Sequence, residues 1–447
     1  MSVLDILAAR SFPADSGRIA VASSVGPLGW QDLETLVDRR AEELLSAGLE
    51  PGAVHPLVVE ADRAGVVELL ALWRMGAVPA PLNPRLTDDE RSLARGSLRA
   101  APPDCQAILW TSGTAGLPRG VALGREGLLA HVEAVAERLA LGGSEVWLAS
   151  LAPAHVGGLA LVARAVLTGA TVLAAGPLDT EALARLLRGS SPAVTHLSLV
   201  PTQLDRLLAA WGPDAPPPEL SCILIGGAHA PPDLVARAIA AGWPIALTYG
   251  MTEMWSQVAT APPALTRRHP DAVGAPLIGV EVRIDSGQEI LVRGPTRALG
   301  YVAGPPSPDG PAAQAPPLAD ADGWYRTGDL GEIDEDGLLR ITGRRSDRII
   351  SGGVNVDPME VEDVLRRHPA VLDAAVVGVP SREWGETVGA VVVPVWGEFE
   401  LSELEAFLRA KLGGAKRPRV WKIEARLPLN ANGKVDRAAA RALFTAG

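Results

Sequence analysis

Between residues 105 and 250 the chain alternates two hydrophobic rhythms. Short runs that are apolar at nearly every position have the length of strands buried on both faces: "CQAILW", "EVWLASLAP", "ATVLAA", "VTHLSLVP", "LSCILIGG" and "PIALTYG". Between them lie "REGLLAHVEAVAERLAL", "VGGLALVARAVLTG", "DTEALARLLRG", "TQLDRLLAAW" and "PPDLVARAIAAG", whose apolar residues follow the period of an amphipathic helix. This alternation predicts an α/β fold with a parallel sheet covered on both faces by helices. Ligands in such sheets sit beyond the carboxyl ends of the strands. Three polar or glycine-rich stretches fall there: "TSGTAGLPRG", "GGAHAP" and "YGMTE".

After residue 270 the pattern shifts to short strands, as in "GVEVRIDSGQEILVRGP", which predicts a β subdomain. The Pro/Gly/Ala stretch 303–319 reads as an exposed loop or a small disordered insertion. From residue 354 a small α+β unit is expected, its first helix opened by a capping box of Asp357 at N-cap, Pro358 at N1 and Glu360 at N3. Charge and glycine replace core residues at "GRRSDRIISGG". The expected domains are therefore 1–345 and 346–447, the second small and mobile.

Composition narrows the function classes. At 447 residues the chain exceeds one ordinary core. A formal charge of −11, from 41 basic and 52 acidic side chains, argues against a nucleic-acid partner. Cys105 and Cys222 both lie in apolar runs and read as reduced core residues. The start has neither a basic n-region nor a long apolar stretch. Arg164 and Gly169 interrupt the one tempting membrane span, so a cytoplasmic protein without membrane insertion is expected.

The opening of "TSGTAGLPRG" has glycines whose backbone N–H groups can form an anion nest, hydroxyls, and the charge of Arg119. By itself it is equally a tight turn. In "TYGMTE", Tyr249 offers a flat face, Thr252 a hydroxyl and Glu253 a carboxylate suited to magnesium on a phosphate; a solvated loop is the bland alternative. Asp329, between two glycines, can meet the two hydroxyls of a ribose or simply open a hairpin. Lys434 in "LPLNANGKVDR" taken alone is a surface lysine.

These four stretches, with "GRRSDRIISGG" between the third and the last, resemble in this order the adenylate-forming enzymes, which include acyl-CoA synthetases, luciferases and peptide-synthetase adenylation domains. The resemblance runs from about residue 105 to the C-terminus. It implies that a carboxylate and ATP give an acyl-adenylate, from which coenzyme A then displaces AMP. Thr111, Ser112, Gly113, Thr114, Gly116, Arg119 and Gly120 would form the phosphate loop. Gly226, Gly227, Ala228, Tyr249 and Gly250 would hold adenine, and Asp329 and Arg344 the ribose. Thr252 would contact phosphate, Glu253 would bind Mg²⁺, and Lys434 would act on the attacking carboxylate. Rotation at Arg345 and Ser346 would bring Ser351, Gly352 and Gly353 into the CoA tunnel. His155 reads as a gate beside the acid or as a helix-start residue. Arg119 stands where the family usually has lysine, Ala115 where it has threonine, and Val354 where it has glutamate.

Within the family, "LAPAHVGGLALVARAVLTGATVL", "HLSLVPTQLDRLL" and "CILIGGAHAPPDLVARAIAAGWPIALTYGMTE" resemble o-succinylbenzoate–CoA ligases of menaquinone biosynthesis. Trp255, Ser256 and Gln257 are the expected acid-pocket residues, and Arg164 either meets the distal carboxylate or faces solvent. Another aryl or short- to medium-chain acid stays open as substrate, as does an inactive nucleotide-binding homologue. A homodimer is common in the family; nothing in the sequence marks an interface.

Overall fold

The structure is a computed structural model that describes residues 3–445, apart from 11–16, 99, 113–117, 304–317, 396–398 and 431–433. It falls into two compact units. The first comprises Met1–Ala230, Ala236–Val282 and Val292–Tyr325; the second comprises Pro231–Val235, Arg283–Leu291 and Arg326–Gly447.

The first unit is built on an eight-stranded sheet. His196–Leu199 and Cys222–Ile225 are buried at every position, as strands covered on both faces must be. Neighbouring strands Val146–Leu148, Thr171–Leu173, His196–Leu199, Cys222–Ile225 and Ile245–Met251 pair in parallel. The expected parallel sheet thus forms, but both edges differ from expectation. Ser256–Ala261 folds back antiparallel on Ile245–Met251, and Leu28–Gly29 pairs antiparallel with Ile19–Ala22. Helix Val156–Thr168 is apolar all round and buried at every residue from Gly158 to Leu167, so it serves as a core rod. Gly169, at φ 80°, stops it in the left-handed conformation.

The stretch expected to continue this sheet at "CQAILW" instead belongs to a separate three-stranded sheet. Cys105–Ser112 pairs antiparallel with Pro118–Gly124, which pairs antiparallel with Gly300–Ala303. The reason is local: "PRGVALG", after the glycine-rich residues, is a further strand, and the helix starts only at Arg125.

A four-stranded sheet of Glu281–Ile284, Glu289–Arg293, Tyr325–Ile333 and Leu339–Arg344 lies largely in the second unit. A further sheet there contains Val371–Ser381 antiparallel to Gly385–Pro394, with Val420–Ile423 parallel to the latter. Helices Pro358–Arg366 and Leu401–Lys411 supply apolar side chains to its core. The capping box expected at Asp357 does not form. Its carboxylate takes Arg348 Nε at 2.8 Å and Nη2 at 3.0 Å, and Glu360 takes Lys416 instead, because full charges outbid a backbone N–H. The boundary stretch folds as a 3₁₀ turn at Arg345–Asp347. Both cysteines are buried and free, and no described helix is long and apolar enough to cross a membrane.

Candidate active site

The carboxyl ends of two parallel strands gather the first group of expected residues. Ile225 pairs with Leu247, which puts Gly226 beside Thr248 one residue on. A Cβ at Gly226 would stand 2.7 Å from the Thr248 methyl, so the two strand ends approach this closely only with glycine. Tyr249 is 9 % exposed and sits one residue beyond. At Gly250 a Cβ would meet the Ser256 carbonyl oxygen at 1.7 Å. The chain then makes the 3₁₀ turn Thr252–Met254 and reverses through Trp255 (φ 51°) and Ser256 (φ 96°). Two consecutive non-glycine residues with positive φ store strain of order 1–3 kcal/mol each. That strain sits next to Glu253, where the expected chemistry lies.

Glu253 has a partner that sequence reading missed. Tyr301 Oη donates to Glu253 Oε1 at 3.0 Å, and the Arg119 guanidinium lies 5.7 Å from the Tyr301 ring centre. Burial, then Glu253, pushes the Tyr301 hydroxyl above its ordinary pKa, so it remains a donor. Arg119 reaches this place because it pairs with Thr111 across the hairpin. Gly113, Thr114 and Gly116 lie outside the described residues. No group of three or more His, Cys, Asp or Glu side chains suited to a metal occurs among the described residues. A single carboxylate near Arg119 fits Mg²⁺ that would be carried in by phosphates, which needs only one or two protein carboxylates.

His155 is the N-cap residue of helix Val156–Thr168. Nine residues on, Arg164 does not face solvent: it is 3 % exposed and has no acidic partner among the described residues. Its Cζ lies 4.3 Å from the centre of the Trp147 ring. Arg164 Nε and Trp147 Nε1 lack hydrogen-bond partners, as do both ring nitrogens of neighbouring His131. Burial pulls the guanidinium down to about 10, so it remains a cation at neutral pH. Burying an unpaired charge costs several kcal/mol, of which a desolvated cation–π contact returns about 2 or somewhat more. Gln257, 4 % exposed with Oε1 unpartnered, is another buried polar group on an expected pocket strand. Trp255 is placed differently from expectation. It is 0 % exposed, its Nε1 donates to the Gly124 carbonyl at 2.8 Å, and it offers no open wall to a ligand.

In the second unit, Asp329 and Arg344 are direct register partners across an antiparallel pair, with Arg344 Nε 3.5 Å from Asp329 Oδ1. The pKa of Lys434 is lowered by desolvation and then by Arg344, with Asp329 opposing. These three expected residues therefore share one electrostatic neighbourhood. Glu289 organises the loop beneath them, although sequence reading passed over it. It is 4 % exposed and takes Arg326 Nη2 at 2.6 Å, Arg345 Nη1 at 3.0 Å and the Gly328 N–H at 3.1 Å. Ser351 pairs with Val354, so Gly352 (φ 58°) and Gly353 (φ 80°) form a two-residue hairpin turn of the kind that needs positive φ at both positions.

Residues 94–302 match the family described as AMP-binding enzyme, and residues 360–434 match the AMP-binding enzyme C-terminal domain. The chain belongs to the AMP-binding enzyme family. Among curated relatives, the 2-succinylbenzoate–CoA ligase of a Geobacillus species is 32% identical, over 94% of this chain and 93% of its own length. That of Listeria monocytogenes is 30% identical, over 91% and 92%. Among solved structures, the o-succinylbenzoate CoA synthetase of Bacillus subtilis with its acyl-adenylate intermediate superposes with a TM-score of 0.87. The identity is 27%, covering 99% of this chain and 98% of that one. The same enzyme with ATP and magnesium gives 0.85 at 27%, covering 98% and 99%.

For a member of the AMP-binding enzyme family, three of these residues were findable from sequence. Tyr301 is one of only three tyrosines and follows Gly300. Arg164 is the lone charge in an apolar helix. Glu289 opens a strand whose next three residues, Ile290, Leu291 and Val292, are apolar. His131 carries no such signal: it sits at a core position of an ordinary amphipathic helix.

Proposed function

We propose that the protein is an ATP-dependent, AMP-forming acid–CoA ligase that activates o-succinylbenzoate through its acyl-adenylate, in the cytoplasm, on the route to menaquinone. Near-full-length similarity to relatives bearing that activity supports the reaction class. The observation that carries the choice of acid is Arg164, a buried cation without an acidic partner among the described residues, on the helix that His155 begins. The substrate has one carboxylate to activate and a second to anchor, and Arg164 supplies the charge for the second.

The residues then have separate tasks. Tyr249 and the Gly226–Gly227 backbone take the adenine, and Asp329, set by Arg344, takes the ribose hydroxyls. The glycine-rich hairpin and Arg119 hold the β and γ phosphates. Glu253, oriented by the Tyr301 hydroxyl, would hold Mg²⁺ together with the phosphates. An ion held there would supply positive charge against that building at phosphorus during in-line attack. Lys434, exposed on its turn, donates to the attacking carboxylate and the α-phosphate oxygens. The thiol of coenzyme A then enters beside Ser351–Gly353, after rotation at Arg345 and Ser346. The boundary 345/346 is the proposed functional division for that movement.

Arg164→Met tests the anchor. Removing one partner of a buried charge pair costs about 2–5 kcal/mol, so the KM for o-succinylbenzoate should rise by roughly a hundredfold. The KM for ATP should stay within about twofold. An unchanged KM for the diacid would remove Arg164 from the pocket.

A further inference from the structure

Lys434 lies in a short polar hairpin. Asn430 N–H donates to the Lys434 carbonyl at 2.8 Å, and Lys434 N–H donates to Asn430 Oδ1 at 3.1 Å. Leu429 and Val435 form a β-bridge, and Asp436 N–H donates to the Pro428 carbonyl at 2.9 Å. The backbone of the lysine is thus well held, while no hydrogen bond fixes its ammonium among the described residues. Its aim is inherited from the frame that carries the hairpin.

That frame converges on Arg437, the first residue of helix Arg437–Ala442. Arg437 Nη1 donates to Glu362 Oε1 at 2.6 Å and to the Val376 carbonyl at 2.7 Å, and Nη2 lies 3.3 Å from Glu362 Oε2. Glu362 is 4 % exposed and also accepts the Val376 N–H at 2.8 Å. Arg437 Nε donates to Asp347 Oδ2 at 3.0 Å. Asp347 closes the turn Arg345–Asp347, and its other oxygen accepts Ser346 Oγ at 3.0 Å. One guanidinium therefore joins the turn at the domain joint, the helix Pro358–Arg366 and the strand Val371–Ser381. It stands three residues along the chain from the lysine.

We propose that Arg437 is a positioning residue that locks the Lys434 hairpin to the joint at Arg345–Asp347, so that joint and lysine move as one body. This rests on Lys434 acting in adenylate formation. A rotation at Arg345 and Ser346 is useful to that step only if its angle reaches Lys434 undiluted, because a misplacement of about 1 Å costs about a hundredfold in rate. Asp347 is the residue through which the joint grips the arginine. A purely structural ion pair would weaken both half-reactions together.

Asp347→Asn cuts the grip at the joint and leaves the buried Glu362–Arg437 pair intact. The double variant Glu362→Gln with Arg437→Met removes the clamp without stranding a buried charge. Two rates are compared: acid-dependent exchange of pyrophosphate into ATP, and thioester formation from supplied o-succinylbenzoyl-adenylate. Exchange kcat should fall about tenfold in Asp347→Asn and about a hundredfold in the double variant. The KM for ATP should stay within about twofold, thioester formation should change by less than about threefold, and Arg437→Lys should recover part of the exchange rate. Equal losses in both halves, or an undiminished exchange in Asp347→Asn, would overturn the role of Arg437. Lys434→Ala separates the two levels: if that variant keeps its exchange rate, the role of the lysine falls and the inference with it. A selective loss there, with equal or no losses in Asp347→Asn, sinks the inference alone.

Discussion

His131 and Arg164 are both buried, and they answer burial in opposite ways. The imidazole gives up its charge: burial, and then Arg164, push its pKa down to about 3. The guanidinium keeps its charge at neutral pH. For His131 the folded value lies below the ordinary 6.5, so the unfolded chain binds the extra proton as pH falls. Its contribution is fully present above 6.5 and is lost progressively toward about 3. At 1.36 kcal/mol per unit, the loss by pH 5 is about 2 kcal/mol. Denaturant unfolding of His131→Leu at pH 7.5 and pH 5 should therefore show a pH-dependent stability loss smaller by about that amount. Identical losses in variant and parent would mean that His131 is protonated inside the fold. Trp255 shows the limit of reading at this scale. The sequence offered it as an acid-pocket residue and did not show that the indole fills the space left by Gly127, where a Cβ would stand 2.7 Å from its ring.

At the scale of elements, the alternation of apolar runs and helical periods was legible because a buried parallel strand tolerates almost no polar residue. His196–Leu199 and Cys222–Ile225 fall where expected for that reason. The hairpin Cys105–Ser112 with Pro118–Gly124 was not legible, since an apolar run does not reveal which sheet it joins. Nor was the failure of the Asp357 capping box, which depends on Arg348, nine residues away, arriving at the same carboxylate. The Ser351–Val354 hairpin gives an element-scale prediction. Gly352→Ala meets a positive φ and a Trp384 ring carbon 2.5 Å from the new Cβ, whereas Gly353→Ala meets a positive φ in open space. The first should cost about 2–4 kcal/mol and the second about 1–2 in thermal unfolding. Equal costs would show that the tryptophan yields.

For the whole molecule, the expected chemistry is divided between two units. The residues proposed for adenine, magnesium and the acid lie in the first, and Asp329, Arg344, Lys434 and the segment proposed for CoA lie in the second. The order of motifs along the chain exposed the place of Lys434 and of Ser351–Gly353 in the second unit, but not that of Asp329 and Arg344, which the expected boundary at 345/346 assigned to the first. The supports were hidden, because Tyr301 reaches Glu253 from 48 residues away and Arg437 reaches Asp347 from 90. The central claim is that these parts make a CoA ligase for an aromatic dicarboxylic acid. Its most direct test is ATP-dependent CoA thioester formation by the purified protein, with o-succinylbenzoate beside benzoates, medium-chain fatty acids and amino acids. The account predicts strong preference for o-succinylbenzoate, with AMP and pyrophosphate released in step with thioester. Preferred turnover of a monocarboxylic acid, or pyrophosphate release without thioester, would contradict it.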